Sequence, residues 1–164
     1  MKKEFPILHV VGPKNSGKTV LLEWLVHSLT SKGLKVGVLK HSMHNHPVDK
    51  PRADSDRMRK AGAHPAAFWS EDGLGIYFPS LSTEEGWQTL RQIFADCDLV
   101  LVESFGSASN PKIVINGRSE NWRDFDNVIA LVGSPSALTD LPVFGKQDEK
   151  LLSFILDFFK LKGK

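Results

Sequence analysis

Eight consecutive residues, Gly12-Pro13-Lys14-Asn15-Ser16-Gly17-Lys18-Thr19, fill every fixed place of the pattern G-x-x-x-x-G-K-[ST], the Walker A phosphate loop. Each fixed place has a mechanical reason. Glycine lets the backbone curl so that consecutive N–H groups, here those of Lys14, Asn15, Ser16, Gly17, Lys18 and Thr19, point inward at phosphate oxygens. A helix that starts at the loop aims its positive end at the same oxygens. Lys18 is expected to reach the β- and γ-phosphates, and the Thr19 hydroxyl to enter the coordination shell of Mg2+. A chance glycine turn is the alternative, and the flanking sequence argues against it. The apolar run Ile7 to Val11 precedes the loop, and Leu21, Leu22, Leu25, Val26 and Leu29 follow on one helical face that ends at Lys32-Gly33.

A magnesium nucleotide site also needs an acid at the end of a buried strand beside the loop. Glu103 directly follows the apolar run Leu99-Val100-Leu101-Val102, and Glu103-Ser104-Phe105-Gly106 has the form acid-x-x-Gly, in which the Gly106 N–H is placed for a γ-phosphate oxygen. A carboxylate that only solvates a strand end is the bland reading, but a charge after four buried residues usually has a partner. Asp98 stands at the other end of that run, away from the phosphates. Gly145-Lys146-Gln147-Asp148 resembles the guanine-reading motif Asn/Thr-Lys-x-Asp with glycine in the first place, and Asp148 is read in preference as the N-cap of a final helix.

Lys40 and His41 end a second strand, Val36 to Leu39, on the edge where ligands bind in doubly wound sheets. His44, His46 and Asp49 follow in a long polar loop, and Arg57 lies in the next short helix. Three uses are open for this group: contact with phosphate or a second ligand, for which Lys40, His41, His44, Asp49 and Arg57 are the candidates, a bound transition metal, or a solvated loop. The spacing matches no well-defined zinc pattern, and no cysteine joins it.

The elements that must hold these groups in place read as an α/β chain. Strands are expected at Ile7 to Val11, Val36 to Leu39, Leu99 to Val102, Lys112 to Ile115 and Val128 to Val132, in a mostly parallel sheet of three-layer P-loop NTPase type. Ala66 to Ser70 and Gly75 to Phe78, joined through Glu71-Asp72-Gly73, are expected to form an antiparallel hairpin at the sheet edge. Helices are expected over 18–32, over Asp54 to Ala61 with an acidic cap, over Thr83 to Phe94 and over Glu149 to Phe159.

At 164 residues, 41 % apolar and 24 % charged, residues 1–164 suit a single nucleotide-binding domain. A net charge of +2 with dispersed basic residues excludes nucleic acid as the expected partner. No apolar run approaches membrane-spanning length, and the amino end carries no export segment, so the chain is read as cytoplasmic and not a membrane protein. Cys97 is alone, and Asp96 and Asp98 beside it argue against a reactive thiolate.

Taken together, these motifs resemble the molybdopterin-guanine dinucleotide biosynthesis protein B family. The loop is similar to that family's G-x-K-N-S-G-K-T. Lys40-His41 with the histidines after it is similar to K-H-x-H-H, and Asp49-Lys50-Pro51 with Asp54-Ser55 and Arg57 to D-x-P-G-K-D-S-x-R. Leu101-Val102-Glu103, Phe105 and Pro111-Lys112-Ile113 resemble V-L-V-E-G-F-K and P-K-I. The resemblance implies a P-loop GTP-binding accessory protein of molybdenum cofactor biosynthesis. It also implies Mg2+ as cofactor, slow GTP hydrolysis, a homodimer, and a molybdopterin guanylyltransferase or molybdoenzyme as partner. This sequence departs at Met43, at Arg52-Ala53 in place of Gly-Lys, and at Ser104 and Gly106 around Phe105, so two of the family's lysines are missing.

Two other functions use the same loop. A small-molecule kinase needs an arginine-rich lid, for which the segment with Arg118 and Arg123 gives no compelling signature. A GTPase chaperone for metal insertion would store its metal in the histidine loop.

Overall fold

The computed structural model describes residues 5–42, 52–78, 80–103, 106–115, 122–134 and 139–163. The chain divides into two compact units, Met1–Ser42 with Ile93–Lys164, and Met43–Gln92. The first unit is built on a six-stranded sheet. Its strands are β1 (Ile7–Val11), β2 (Val36–Lys40), β5 (Leu99–Glu103), β6 (Lys112–Ile115), β7 (Val128–Val132) and β8 (Val143–Phe144), in the order β2-β5-β1-β6-β7-β8. Every pairing in it is parallel. The continuous apolar runs have the cause inferred for them, since β5 and β6 are buried along their whole length and need apolar residues on both faces. β8 has only two residues, too few to leave a pattern in the sequence.

Alternate residues of each strand serve opposite faces. Leu8, Val10, Leu99, Leu101, Ile113, Ile115, Ala130 and Val132 form one side, packed against Leu21, Leu22, Leu25 and Leu29 of α1 (Lys18–Thr30) and Leu151, Leu152 and Ile155 of α4 (Glu149–Phe158). On the other side Val100 and Val102 meet Phe5, Leu39, Phe94 and Cys97, while Val11, Val114 and Leu131 meet Trp122, Phe125 and Leu141. A 3-10 turn, Trp122–Asp124, belongs to this second cover.

The second unit holds α2 (Asp54–Lys60), the antiparallel pair β3 (Ala66–Ser70) and β4 (Gly73–Tyr77), and most of α3 (Thr83–Ile93). β2 and β5 are neighbours in the large sheet, so this unit is an excursion within one parallel crossover. Its hairpin forms its own two-stranded sheet rather than the edge of the larger one. β4 starts at Gly73, two residues ahead of expectation, because Gly73 already pairs with Ser70.

The cap of α2 differs from expectation in a small way. Ala53 occupies the N-cap position and offers no side chain, and the buried Asp56 instead reaches back to accept from the Arg52 N–H at 2.9 Å. The Lys60 ammonium, the Arg52 N–H and the Arg59 guanidinium pull the Asp56 carboxyl down to about 2. α3 opens on a reciprocal capping box between Ser82 and Glu85.

Candidate phosphate site at the carboxyl ends of the strands

β1 runs directly into the phosphate loop, and β5 and β6 flank it, so the loop emerges at the carboxyl edge of the sheet beside its central strand. The bend is made by left-handed backbone at Asn15 (φ 61°) and Gly17 (φ 94°). Gly17 is the N-cap of α1, and no side chain caps that end of the helix. With no acid in the first turn either, the positive end of α1 meets no protein carboxylate from its own opening residues.

The Lys18 side chain folds over the loop, and its Nζ donates to the carbonyl oxygens of Gly12 at 2.9 Å and Pro13 at 2.6 Å. Thr19 Oγ1 donates to Glu103 Oε2 at 3.2 Å across 84 residues of sequence. That contact exists because the β1–β5 register sets Val10 opposite Glu103, which puts the carboxylate at the level of the loop. Glu103 is largely buried, and Lys40 Nζ, on the edge strand, lies 3.6 Å from its Oε1. The His41 N–H donates to the Glu103 carbonyl at 3.1 Å. Lys18, Thr19, Glu103, Lys40 and His41 therefore converge on one edge.

Gly106 sits under the Phe125 ring, where an added Cβ would come within 2.7 Å of a ring carbon. Arg57 belongs to the second unit, is exposed, and stands 3.5 Å from Asp54. His44, His46, Asp49 and Arg118 lie outside the described residues. Among the described residues no group of three or more His, Cys, Asp or Glu is arranged to hold a metal ion. Arg123 stacks on Trp122, 4.4 Å from the ring centroid.

Asp98 accepts from the Lys35 N–H at 2.8 Å, a tie between strand starts at the opposite end of β5. Burial, with Asp98 and Asp96 beside it, pushes the Cys97 thiol above its ordinary value, as expected of an inert cysteine. Asp148 caps α4, accepting from the Lys150 N–H at 2.9 Å.

Three polar residues of the first unit make contacts that the sequence did not assign to them. Lys146 reaches the phosphate loop and donates to the Ser16 carbonyl at 3.0 Å. His9, in the middle of β1, is fully buried, and burial above all holds it neutral, its pKa lowered to about 4; the Lys112 and His41 charges add to this, and a hydrogen bond with Asn110 opposes it. Lys112, its register partner on β6, is also fully buried. Lys112 Nζ donates to the carbonyls of Ala108, Asn110 and Asp126 and to Asp126 Oδ1. The Gly-Lys-x-Asp pattern drew attention to Lys146 and the Pro-Lys-Ile motif to Lys112, while His9 read as part of an apolar strand.

With this geometry in place, the family model for molybdopterin guanine dinucleotide synthesis protein B matches residues 7–134, most of the chain. The chain belongs to that family. It is 32 % identical over 177 residues to a probable molybdopterin-guanine dinucleotide biosynthesis adapter protein of Bacillus subtilis, covering 99 % of this chain and 96 % of that one. It is 29 % identical to the adapter protein of that name from Escherichia coli, covering 97 % and 96 %. The crystal structure of Bacillus subtilis MobB superposes with a TM-score of 0.77 at 31 % identity, covering 98 % of this chain and all of the other. The fold, a parallel sheet with helices and a P-loop at its carboxyl edge, is thus the MobB fold. Among the described residues no helix is long and apolar enough to cross a membrane.

Proposed function

We propose that the protein is a GTP-binding adapter of molybdopterin guanine dinucleotide biosynthesis, with Mg2+ as cofactor and slow GTP hydrolysis. The observation that carries this reading is the 3.2 Å contact between Thr19 Oγ1 and Glu103 Oε2 beside the phosphate loop. A hydroxyl and a carboxylate meeting there are the hard oxygen donors that Mg2+ takes together with phosphate. The donor set fits the ion: Thr19 and Glu103 would hold it, and Mg2+ would supply neutralisation of the polyphosphate charge.

The chain's own residues do the rest. The loop N–H groups from Lys14 to Thr19 and the start of α1 bind the phosphates, and the Lys18 ammonium exchanges its loop carbonyls for phosphate oxygens. Glu103 would also orient the attacking water. Turnover is slow because hydrolysis waits on an arginine finger, supplied by Arg57 or by a partner. Gly106, His44 and Asp49, with Lys40, His41 and Arg57, are the proposed contacts to phosphate or to a second ligand. We further propose that residues 1–164 work as one cytoplasmic nucleotide-binding domain, that the protein is a homodimer, and that it serves a molybdopterin guanylyltransferase or a molybdoenzyme.

Calorimetric titration with GTP and with ATP in Mg2+, on the protein and on Lys18→Ala, tests this function. Saturable GTP binding that Lys18→Ala abolishes supports it. Equal affinity for ATP removes the guanine assignment, and binding unchanged in Lys18→Ala removes the site.

A further inference from the structure

The four residues Gly145 to Asp148 divide between two tasks. Both carboxylate oxygens of Asp148 are engaged by backbone, Oδ1 by the Lys150 N–H at 2.9 Å and Oδ2 by the Gly145 N–H at 3.5 Å. That ties the turn between β8 and α4 into a fixed shape. Lys146 projects from this turn to a loop 130 residues away, where its Nζ donates to the Ser16 carbonyl at 3.0 Å. The same ammonium lies 3.1 Å from where a Cβ on Gly17 would stand.

A trans peptide sets the C=O of one residue opposite the N–H of the next. An ammonium that fixes the Ser16 carbonyl on the outside of the loop therefore fixes the Gly17 N–H on the inside. Lys18 does the equivalent from within the loop only until phosphate arrives, through bonds to the Gly12 and Pro13 carbonyls that it then exchanges, whereas Lys146 keeps its hold from outside the phosphate site. Left-handed backbone at Gly17 would otherwise leave this peptide free to rotate, because glycine has no Cβ to hold it.

We propose that Lys146 is a positioning residue for polyphosphate: it holds the Ser16 carbonyl outward so that the Gly17 N–H faces the phosphates. This rests on the nucleotide-site reading above, and it is independent of the base. Its charge needs to reach the carbonyl, whereas its aliphatic stem has no part in the effect. Arginine keeps that charge and methionine keeps only the stem.

The test compares the wild type, Lys146→Met and Lys146→Arg by calorimetry with magnesium GTP and with magnesium tripolyphosphate, and records thermal unfolding without ligand. Lys146→Met should weaken both ligands by the same factor, about tenfold, as expected for one charge-assisted hydrogen bond. Lys146→Arg should restore most of it, and ligand-free unfolding should not move. A loss for GTP with none for tripolyphosphate would make Lys146 a base contact and overturn the proposal. So would unchanged affinities in Lys146→Met, or an equal loss that arginine fails to restore. Absence of any binding to the wild type would instead remove the nucleotide site itself, a result that the Lys18→Ala comparison separates from failure at Lys146.

Discussion

Glu103 is where the residue-scale argument concentrates, because two side chains address one carboxylate. Thr19 does so from the start of α1 at 3.2 Å, and Lys40 from the edge strand at 3.6 Å with 70 % of its side chain exposed. An exposed ion pair at that distance contributes little, while a hydroxyl and carboxylate that share a metal contribute much. Glu103→Gln should therefore weaken magnesium GTP by about 10- to 100-fold and leave metal-free nucleotide binding nearly unchanged. Titrations with and without EDTA distinguish these outcomes, and equal losses in both buffers would count against a metal role for Glu103. Thr19, Lys18 and Glu103 are legible in sequence because each is locked to a strand end or helix start that has its own pattern. The contact of Lys146 with the loop is not, since its partner lies 130 residues away and only the folded sheet brings them together.

At the scale of elements, the strands were readable where burial on both faces forces unbroken apolar runs, and less so where polar residues hide inside them. Lys112 opens β6 as a fully buried side chain, and its ammonium gathers the connection that carries Ala108 and Asn110 with the one that carries Asp126. Proline before it and isoleucine after it give no warning of that. Lys112→Met keeps the volume but leaves three carbonyls without their donor, so it should cost about 2 kcal/mol of stability in urea unfolding. It should affect nucleotide affinity far less than Lys18→Ala. The glycine of β2 carries the opposite lesson. An added Cβ on Gly37 would stand 2.7 Å from the Phe94 ring and 3.1 Å from Cys97 Sγ, and the edge strand packs closely only because nothing is there. Gly37→Ala should destabilise by about 1–3 kcal/mol through overpacking, and pairing it with Phe94→Leu should recover part of the loss. The hairpin was legible as a hairpin from its turn residues. That it forms a separate sheet was not, because strand partners outside the hairpin follow from the β2–β5 pairing and leave no local mark.

For the whole molecule, the two compact units answer acid through different groups. The first is built around β1, whose buried His9 is held neutral with its pKa lowered from 6.5 to about 4. Between those values the unfolded chain binds a proton that the folded chain refuses, so stability rises with pH across this window. The contribution is complete above pH 6.5 and is lost as pH falls through 4, a difference of about 3 kcal/mol at 1.36 kcal/mol per pH unit. Asp126 acts later in the same unit. Lys112 holds its carboxyl below the ordinary value, so its contribution is present above pH 3.8 and fades only beneath it. In the second unit the corresponding group is Asp56, lowered to about 2, which keeps α2 tied until well below pH 3.8. Hydrogen exchange followed from pH 7.5 down to 4.5, corrected for intrinsic rates, should therefore show β1 and its neighbours β5 and β6 losing protection first, with the Asp56-anchored turn of α2 unchanged. His9→Leu should flatten the fall in the sheet. The sheet's protection staying constant to pH 4.5 would mean that His9 is charged in the fold or is reached by water, and a slope that persists in His9→Leu would assign the proton to another group.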